Sequence, residues 1–116
     1  DFGDATITAS YRNACGNATR GIIAGGYSPN SDNTIEYITI ATLGNAIDFG
    51  DLLNAVGGMT AISSSTRAVF NGGRTPSEIS DINFVQVMST GNAQDFGDLL
   101  STVSNAASVS NGHGGL

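Results

Sequence analysis

The quartet Asp-Phe-Gly-Asp occurs three times in this chain, at residues 1–4, 48–51 and 95–98, and successive quartets begin 47 residues apart. The similarity extends well beyond the quartets, because ungapped alignment of the first two copies matches residues along their whole length. Matched pairs include Arg20 with Arg67, Gly25-Gly26 with Gly72-Gly73, Pro29 with Pro76, and Gly44-Asn45-Ala46 with Gly91-Asn92-Ala93. A fixed period of this length indicates a chain built of like structural units. The predicted units are residues 1–47, residues 48–94 and a partial third copy at 95–116.

Each unit contains short apolar runs separated by turn residues, which predicts four strands. In the first unit the strands are expected near residues 13–16, 20–24, 34–40 and 46–50. Both alternating sets of residues 35–40 are largely apolar, so that strand should be covered on both faces. No window has helical periodicity with capping signals, and no helix is expected. The double glycine of each unit predicts a sharp exit with positive φ.

A unit of four strands with both faces covered, repeated at roughly 40 to 50 residues, is typical of a β-propeller blade. We therefore predict an all-β fold of four-stranded antiparallel blades, in an open array of about two and a half. Because propellers close with about four to eight blades, other copies of the chain or flanking sequence are expected to complete a ring or a stack. The chain starts with aspartate rather than methionine, and we expect a processed product, an excerpt or the ordered part of a longer protein.

The order of these segments resembles the kelch repeat. The strand that ends in a double glycine reads RGIIAGG in the first unit and RAVFNGG in the second, and the next strand reads TIEYITI and DINFVQV. The motifs STR, GG, a TP or SP loop and TGNAxDFGDL are also similar to kelch-like arrays in predicted structural and tail proteins of marine bacteriophages. The resemblance implies a structural or adhesive protein that is extracellular or part of a virion. Kelch blades usually carry a tryptophan in the last strand, for which Phe2, Phe49 and Phe96 are the substitutes here.

The charge balance bears on the possible partners. The chain has ten acidic residues, four arginines and no lysine, for a net charge of −6. Nucleic-acid binding depends on clustered lysine and arginine, so no nucleic-acid partner is expected. The apolar residues form short clusters, so no membrane span is expected either. The single cysteine, Cys15, is interpreted as a small buried hydrophobic residue.

The quartet itself raises the question of a metal site, since protein kinases bind magnesium through Asp-Phe-Gly. A kinase site also requires a lysine, which the chain lacks. Calcium, which prefers several oxygen ligands, remains an alternative at Asp48, Asp51, Asp95 and Asp98. The preferred interpretation is structural: the phenylalanine packs between blades, the glycine permits a bend and the aspartates cap turn amides. No cofactor is expected.

Two arginines recur at the start of the strand that ends in the double glycine. Arg20 and Arg67 are expected to pair with a quartet aspartate, because a half-buried arginine needs a carboxylate. A role as a ligand for a sugar or a carboxylate is the alternative. His113 is the only histidine, and a lone histidine forms neither a catalytic triad nor a zinc site.

Positions that vary between repeats are where a repeat scaffold usually places recognition. Tyr11, Tyr27 and Arg74 lie at such positions and are the candidate ligand contacts, with exposed loop residues as the alternative interpretation. The sequence therefore predicts a non-enzymatic structural or adhesive module without catalytic residues, which binds protein or glycan through variable loops. The alternative is a glycan-active enzyme on a propeller scaffold, which would need two opposed carboxylates.

Overall fold

The computed structural model describes residues 1–110, which form eight strands and no helix. The strands make two four-stranded antiparallel sheets, and in each sheet the strands are neighbours in chain order. Sheet 1 contains β1 (Asn13–Gly16), β2 (Arg20–Tyr27), β3 (Ser31–Thr39) and β4 (Ile47–Asp51). Sheet 2 contains β5 (Thr60–Ser63), β6 (Arg67–Asn71), β7 (Ile79–Gln86) and β8 (Gln94–Val103). The all-β prediction is confirmed, and the described residues contain no helix long and apolar enough to cross a membrane.

The predicted strands of the first unit are present, and β1 has the predicted bounds. Strand β2 runs past the predicted end at residue 24, because a register shift between Ala24 and Gly26 lets its pairing with β3 resume. Gly25 has a φ of +61° and Gly26 a φ of +133°, so the positive φ predicted for the double glycine is confirmed. Both values lie in a region that favours glycine.

The quartet at residues 48–51 forms a β-bulge in β4. Ile35 pairs with Gly50 while its neighbour Glu36 pairs with Asp48, so Phe49 is an extra residue in the ladder. Gly50 has a φ of +147°. The quartet at residues 95–98 makes the same register shift against β7. The motif therefore specifies a bulged fourth strand in both sheets.

The hydrophobic core lies between the two sheets. Sheet 1 contributes Ile22, Ile35 and Phe49, and sheet 2 contributes Phe70 and Val85, all in one buried cluster. Phe49 is 3% exposed, and its ring meets the ring of Tyr37 edge to face at 6.0 Å. The packing role predicted for this phenylalanine is confirmed at Phe49.

Main-chain hydrogen bonds close the junction between the sheets. The Gly-Asn-Ala segment at residues 91–93 lies before β8, and we call it and its counterpart at residues 44–46 the docking turns. The Gly91 amide donates to the Phe49 carbonyl at 2.8 Å, and the Ala93 amide donates to the Asp51 carbonyl at 2.8 Å. The first quartet binds the other docking turn in the same way, with Gly44 N to Phe2 O at 2.9 Å and Ala46 N to Asp4 O at 2.8 Å. Each docking turn thus binds the quartet that precedes it in the chain.

Candidate functional site

The three residues predicted as ligand contacts line one pocket. Tyr11, Tyr27 and Arg74 come from loops and strand ends of both sheets and surround a cavity of about 430 Å³. The rest of the lining is made by Ser31, Gly57, Gly58, Pro76 and Asn105. The structure therefore brings together Tyr11 and Arg74, which are 63 positions apart in the sequence.

Main-chain pairing fixes the positions of Tyr27 and Arg74. Tyr27 exchanges two hydrogen bonds with Ser10, at 2.8 and 3.1 Å, and Arg74 exchanges two with Gly57, at 3.0 and 3.3 Å. The Arg74 carbonyl also accepts from the Ser31 hydroxyl at 3.3 Å. Within residues 1–110 the Arg74 guanidinium has neither an ion-pair nor a hydrogen-bond partner. A rigid backbone therefore presents an exposed cation at the rim of the pocket.

Tyr11 is held in an unfavourable backbone conformation. Its φ is +54°, and its side chain is 68% exposed. The aligned positions in the other copies are Gly58, with a φ of +67°, and Asn105, with a φ of +52°. The three are linked in series, since Gly58 N donates to Tyr11 O at 3.0 Å and Asn105 N donates to Gly58 O at 2.7 Å. Glycine and asparagine adopt this conformation readily, whereas a residue such as tyrosine loses roughly 1–2 kcal/mol.

The lining combines apolar surface with groups that form hydrogen bonds. The two tyrosines offer flat rings with a polar end, and Arg74 offers a planar fork of donors that matches a carboxylate. The Ser31 hydroxyl and the Asn105 amide add donors and acceptors. Such a pocket suits a ligand with apolar faces, several hydroxyls and an acidic group.

No protein-family model matches this chain, and no curated protein matches it significantly. The features of the molecule that bear on its function are the pocket and the contacts between the two sheets.

The quartet aspartates make structural contacts. Asp95 Oδ1 accepts from the Gly97 amide at 3.0 Å, so this aspartate caps an amide in the bulge of β8 rather than the turn amide that was predicted. Asp98 Oδ1 accepts from the Ser80 hydroxyl at 3.3 Å. Asp48 and Asp51 are exposed on β4. In the part of the chain that the structure describes, no group of three or more histidine, cysteine or acidic side chains could hold a metal ion.

The predicted pairing of Arg20 and Arg67 with a quartet aspartate is wrong. The Arg20 guanidinium lies 4.2 Å from the centre of the Tyr37 ring and donates to the Val87 carbonyl at 3.1 Å. Arg67 lies 4.6 Å from the centre of the Phe84 ring. The physical reason is the strand order: β2 is separated from β4 by β3, which places an aromatic ring nearer to the arginine than any quartet aspartate.

A buried ion pair was not predicted from the sequence. Glu36 is fully buried and pairs with Arg12, and its carboxylate also accepts from the amide of Thr6 at 2.7 Å and from the Thr6 hydroxyl. Arg12 Nε donates to the Gly25 carbonyl at 2.9 Å, whereas its Nη2 has no partner among the described residues. Burial acts to raise the pKa of Glu36, but the Thr6 hydrogen bonds and the Arg12 charge outweigh it and lower the pKa.

The sequence did carry a signal for this pair, an acidic residue inside the apolar run TIEYITI. It was missed because the repeat alignment places Met59 against Arg12 and Asn83 against Glu36, so neither residue recurs. Asn83 nevertheless does a similar job in sheet 2, where its Oδ1 accepts from the Leu53 amide at 3.2 Å.

Cysteine and histidine each occur once in the chain. Cys15 is partly buried and packs against the core, close to the predicted role. Burial raises the pKa of its thiol to about 11, against the opposing effect of a hydrogen bond with Ser63. His113 lies outside the described residues.

Proposed function

We propose that this chain is a non-enzymatic adhesive repeat module that binds a glycan through the pocket of Tyr11, Tyr27 and Arg74. The observation that carries the proposal is the convergence of two exposed tyrosines and an arginine without an ion-pair partner in the described chain around one cavity. In the same proposal, the sheets are kelch-like propeller blades in an extracellular appendage such as a phage tail.

The conformation of Tyr11 supports a binding role. Backbone strain persists where something else maintains it, and strained residues are concentrated at functional sites. The two aligned positions use glycine and asparagine, which relieve the strain. A tyrosine at this position therefore supports a binding role for its ring, because the ring comes at a cost in stability.

The scaffold half of the proposal is supported by the arrangement of strands. Each sheet is a four-stranded meander with its strands in chain order, and the same main-chain contacts recur from one unit to the next. Such regularity is typical of architectures that stack like units and place recognition in the loops. The resemblance to kelch repeats and to phage tail arrays adds the expected setting.

A saccharide that carries a carboxylate is the ligand that the lining favours. The tyrosine rings can cover its apolar faces, and Arg74 can bind its acid through two parallel hydrogen bonds. Glycosidic cleavage would require two opposed carboxylates, and none of the eight described lining residues is acidic. Binding is therefore proposed ahead of the enzymatic alternative.

The test is a screen of a glycan library that includes uronic and sialic acid glycans, followed by titration calorimetry on each hit. Tyr11→Asn and Arg74→Gln should each weaken binding by about tenfold or more, which corresponds to roughly 1.4 kcal/mol. Arg67→Gln is the matched control, because it removes the same charge outside the pocket and should leave the affinity unchanged.

Three outcomes would overturn the proposal. Binding that survives both pocket substitutions would place the glycan elsewhere on the surface. Capture of an acidic peptide with no glycan binding would favour a protein ligand. Release of a shortened glycan product during the incubation would favour the glycan-active enzyme.

A further inference from the structure

The two faces of each sheet have different roles at the junction. In antiparallel sheets, directly paired residues point to the same face. Ile22 pairs with Tyr37 in sheet 1, and their face, which also holds Phe49, packs against sheet 2. In sheet 2 the opposite face, with the pair Ala68 and Val85, receives it. We call these the trailing face and the leading face of a sheet.

The described residues leave open the trailing face of sheet 2 around Phe96 and the part of the leading face of sheet 1 around Ile40, whereas Glu36, elsewhere on that leading face, is covered by Thr6 and Arg12. Phe96 on the trailing face of sheet 2 is 56% exposed, whereas Phe49, its counterpart in sheet 1, is 3% exposed. Ile40, which follows β3 on the leading face of sheet 1, is 49% exposed, whereas its counterpart Val87 is fully buried. Part of each half of the internal junction is thus present a second time with exposed apolar side chains, at opposite ends of the described chain.

The main-chain half of the junction is also repeated and open. A Cβ added to Gly3 or Gly50 would lie well within 3.0 Å of the carbonyl of the docking turn bound there, at Gly44 or Gly91. A Cβ added to Gly97 would have no atom of the described residues within 4 Å, although its φ of +137° resembles theirs. In the described chain, the quartet at residues 95–98 therefore has the bulged shape of a bound quartet but no docking turn.

Arg20 and Arg67 show the same difference between the internal junction and the open face of sheet 2. Arg20 reaches across the internal junction to the carbonyl of Val87. Arg67 stacks on Phe84 as Arg20 stacks on Tyr37, but it has no carbonyl partner among residues 1–110. The residue that aligns with Val87 in the first unit is Ile40, on the open leading face of sheet 1.

We propose that copies of this chain associate head to tail, with the trailing face of sheet 2 docked on the leading face of sheet 1 of a second copy. Residues 95–98 of the first copy replace residues 1–4 of the second copy on its docking turn at 44–46. The two tetrapeptides are identical in sequence, so the hydrogen bonds lost are the hydrogen bonds gained. The net driving force is the burial of the apolar faces around Phe96 and Ile40.

This contact joins two different surfaces, so it generates a closed ring if the rotation between copies closes and an open array if it does not. The proposal does not depend on the ligand of the pocket, because it rests on the sheet faces and the quartet alone. Sedimentation without any glycan tests it, so its failure and the failure of the proposed function are distinguishable.

Two alanine substitutions in identical quartets should change the strength of association between copies in opposite directions. Gly97→Ala places a methyl group where a docking turn would bind but contacts none of residues 1–110 in the free chain, so association should weaken by about tenfold or more. Gly3→Ala expels the chain's own quartet from the 44–46 turn and frees the turn for a second copy, so association should strengthen. Sedimentation velocity over a concentration series measures both, and denaturant unfolding checks that each variant folds. Equal behaviour of the two variants would overturn the exchange.

A mixing experiment tests the polarity of the contact. Phe96→Asp and Ile40→Asp each block one face and should each be monomeric alone. Mixed in equal amounts they should form a heterodimer and nothing larger, because one open face of each kind remains. Tyr27→Asp adds the same charge at an exposed aromatic residue of the pocket, and this variant should associate like the unmodified chain. A monomeric unmodified chain at high concentration, or a mixture that stays monomeric, would overturn the proposal.

Discussion

At the residue scale, the Arg12–Glu36 pair shows how one chain fills the same position in two ways. In sheet 1 the position holds a buried ion pair, and at the aligned position in sheet 2 it holds Met59 and Asn83. Ionic groups lose much of their hydration energy on burial, so such a pair contributes little net stability even when either partner alone would be harmful. Met59 and Asn83 in sheet 2 carry no charge to desolvate. The Asn83 Oδ1 still accepts a hydrogen bond from the Leu53 amide.

This comparison predicts a strongly non-additive mutant cycle. Arg12→Met alone leaves a buried carboxylate without its cation and should destabilise the protein by about 3–5 kcal/mol, as should Glu36→Asn alone. The double variant copies the arrangement of sheet 2 and should fall within about 1 kcal/mol of the unmodified protein. Urea unfolding at neutral pH measures all four proteins. Additive losses in the double variant would show that the two sheets surround this position differently.

The same pair predicts how stability depends on pH. The pKa of Glu36 is lower in the folded protein than its ordinary value, so the unfolded chain takes up a proton first as the pH falls. The contribution of Glu36 to stability should be fully present above about pH 4.3, the ordinary glutamate value, and should be lost as the pH falls through the folded pKa. Unfolding free energies between pH 7 and acid conditions measure it. The double variant, which lacks this carboxylate, should show a shallower fall, and an equal slope in both proteins would contradict the assignment.

At the element scale, the bulged fourth strand connects one unit to the next. A strand that carries an extra residue bends and turns its main-chain groups away from the ladder. In β4 this exposes the carbonyls of Phe49 and Asp51 to the docking turn. Glycine is required there for two separate reasons, the positive φ and the close approach of the Gly91 carbonyl.

The two reasons can be separated by mutation. Gly50→Ala would introduce both backbone strain from the positive φ and a steric clash with the Gly91 carbonyl. It should therefore destabilise the protein by roughly 2–4 kcal/mol. Gly97→Ala would introduce the backbone strain but no clash with the described residues. It should lower stability by no more than about 1–2 kcal/mol. Thermal and urea unfolding of the two variants at low protein concentration give the comparison. Equal losses would mean that the neighbouring turn moves aside at Gly50.

Strands and turns could be predicted from the sequence where their residue types recur in both repeats. Strands β2 and β3 and the double-glycine exit followed from β-branched and aromatic runs and from turn residues, which act locally. The arginine contacts did not follow, because the ring of Tyr37 and the quartet aspartates are distinguished only by strand order and register. The pocket was predicted as three separate loop residues, and only the pairing of Tyr27 with Ser10 and of Arg74 with Gly57 shows that those loops converge.

At the scale of the whole molecule, the trailing face of sheet 2 and the leading face of sheet 1 correspond to the two faces that pack together between the sheets. The open surfaces around Phe96 and Ile40 are apolar, and the groups that would pair across them are main-chain amides and carbonyls. Arg67 would add a hydrogen bond to a main-chain carbonyl, as Arg20 does at the internal junction, and ion pairs contribute little to such a contact in spite of the net charge of −6.

The proposed association should therefore show the signature of apolar burial rather than of ion pairing. We expect a negative heat-capacity change and little weakening of association as salt is raised, with a slight strengthening as repulsion between the acidic copies is screened. Dilution calorimetry at several temperatures and salt concentrations measures both. A steep loss of association with added salt would point to a different, charge-dependent contact.

The main-chain closure of the junction has a consequence for how such a chain can change. The Gly91–Phe49 and Ala93–Asp51 hydrogen bonds use main-chain atoms, so this part of the contact between one repeat and the next depends on backbone shape and a few glycines, beside the apolar core residues that pack between the sheets. Loops such as those of Tyr11 and Arg74 can then diversify while the contact between neighbours stays the same. Repeats that keep these core residues and glycines should therefore be interchangeable as whole units, which would let recombination exchange the binding surface in a single step.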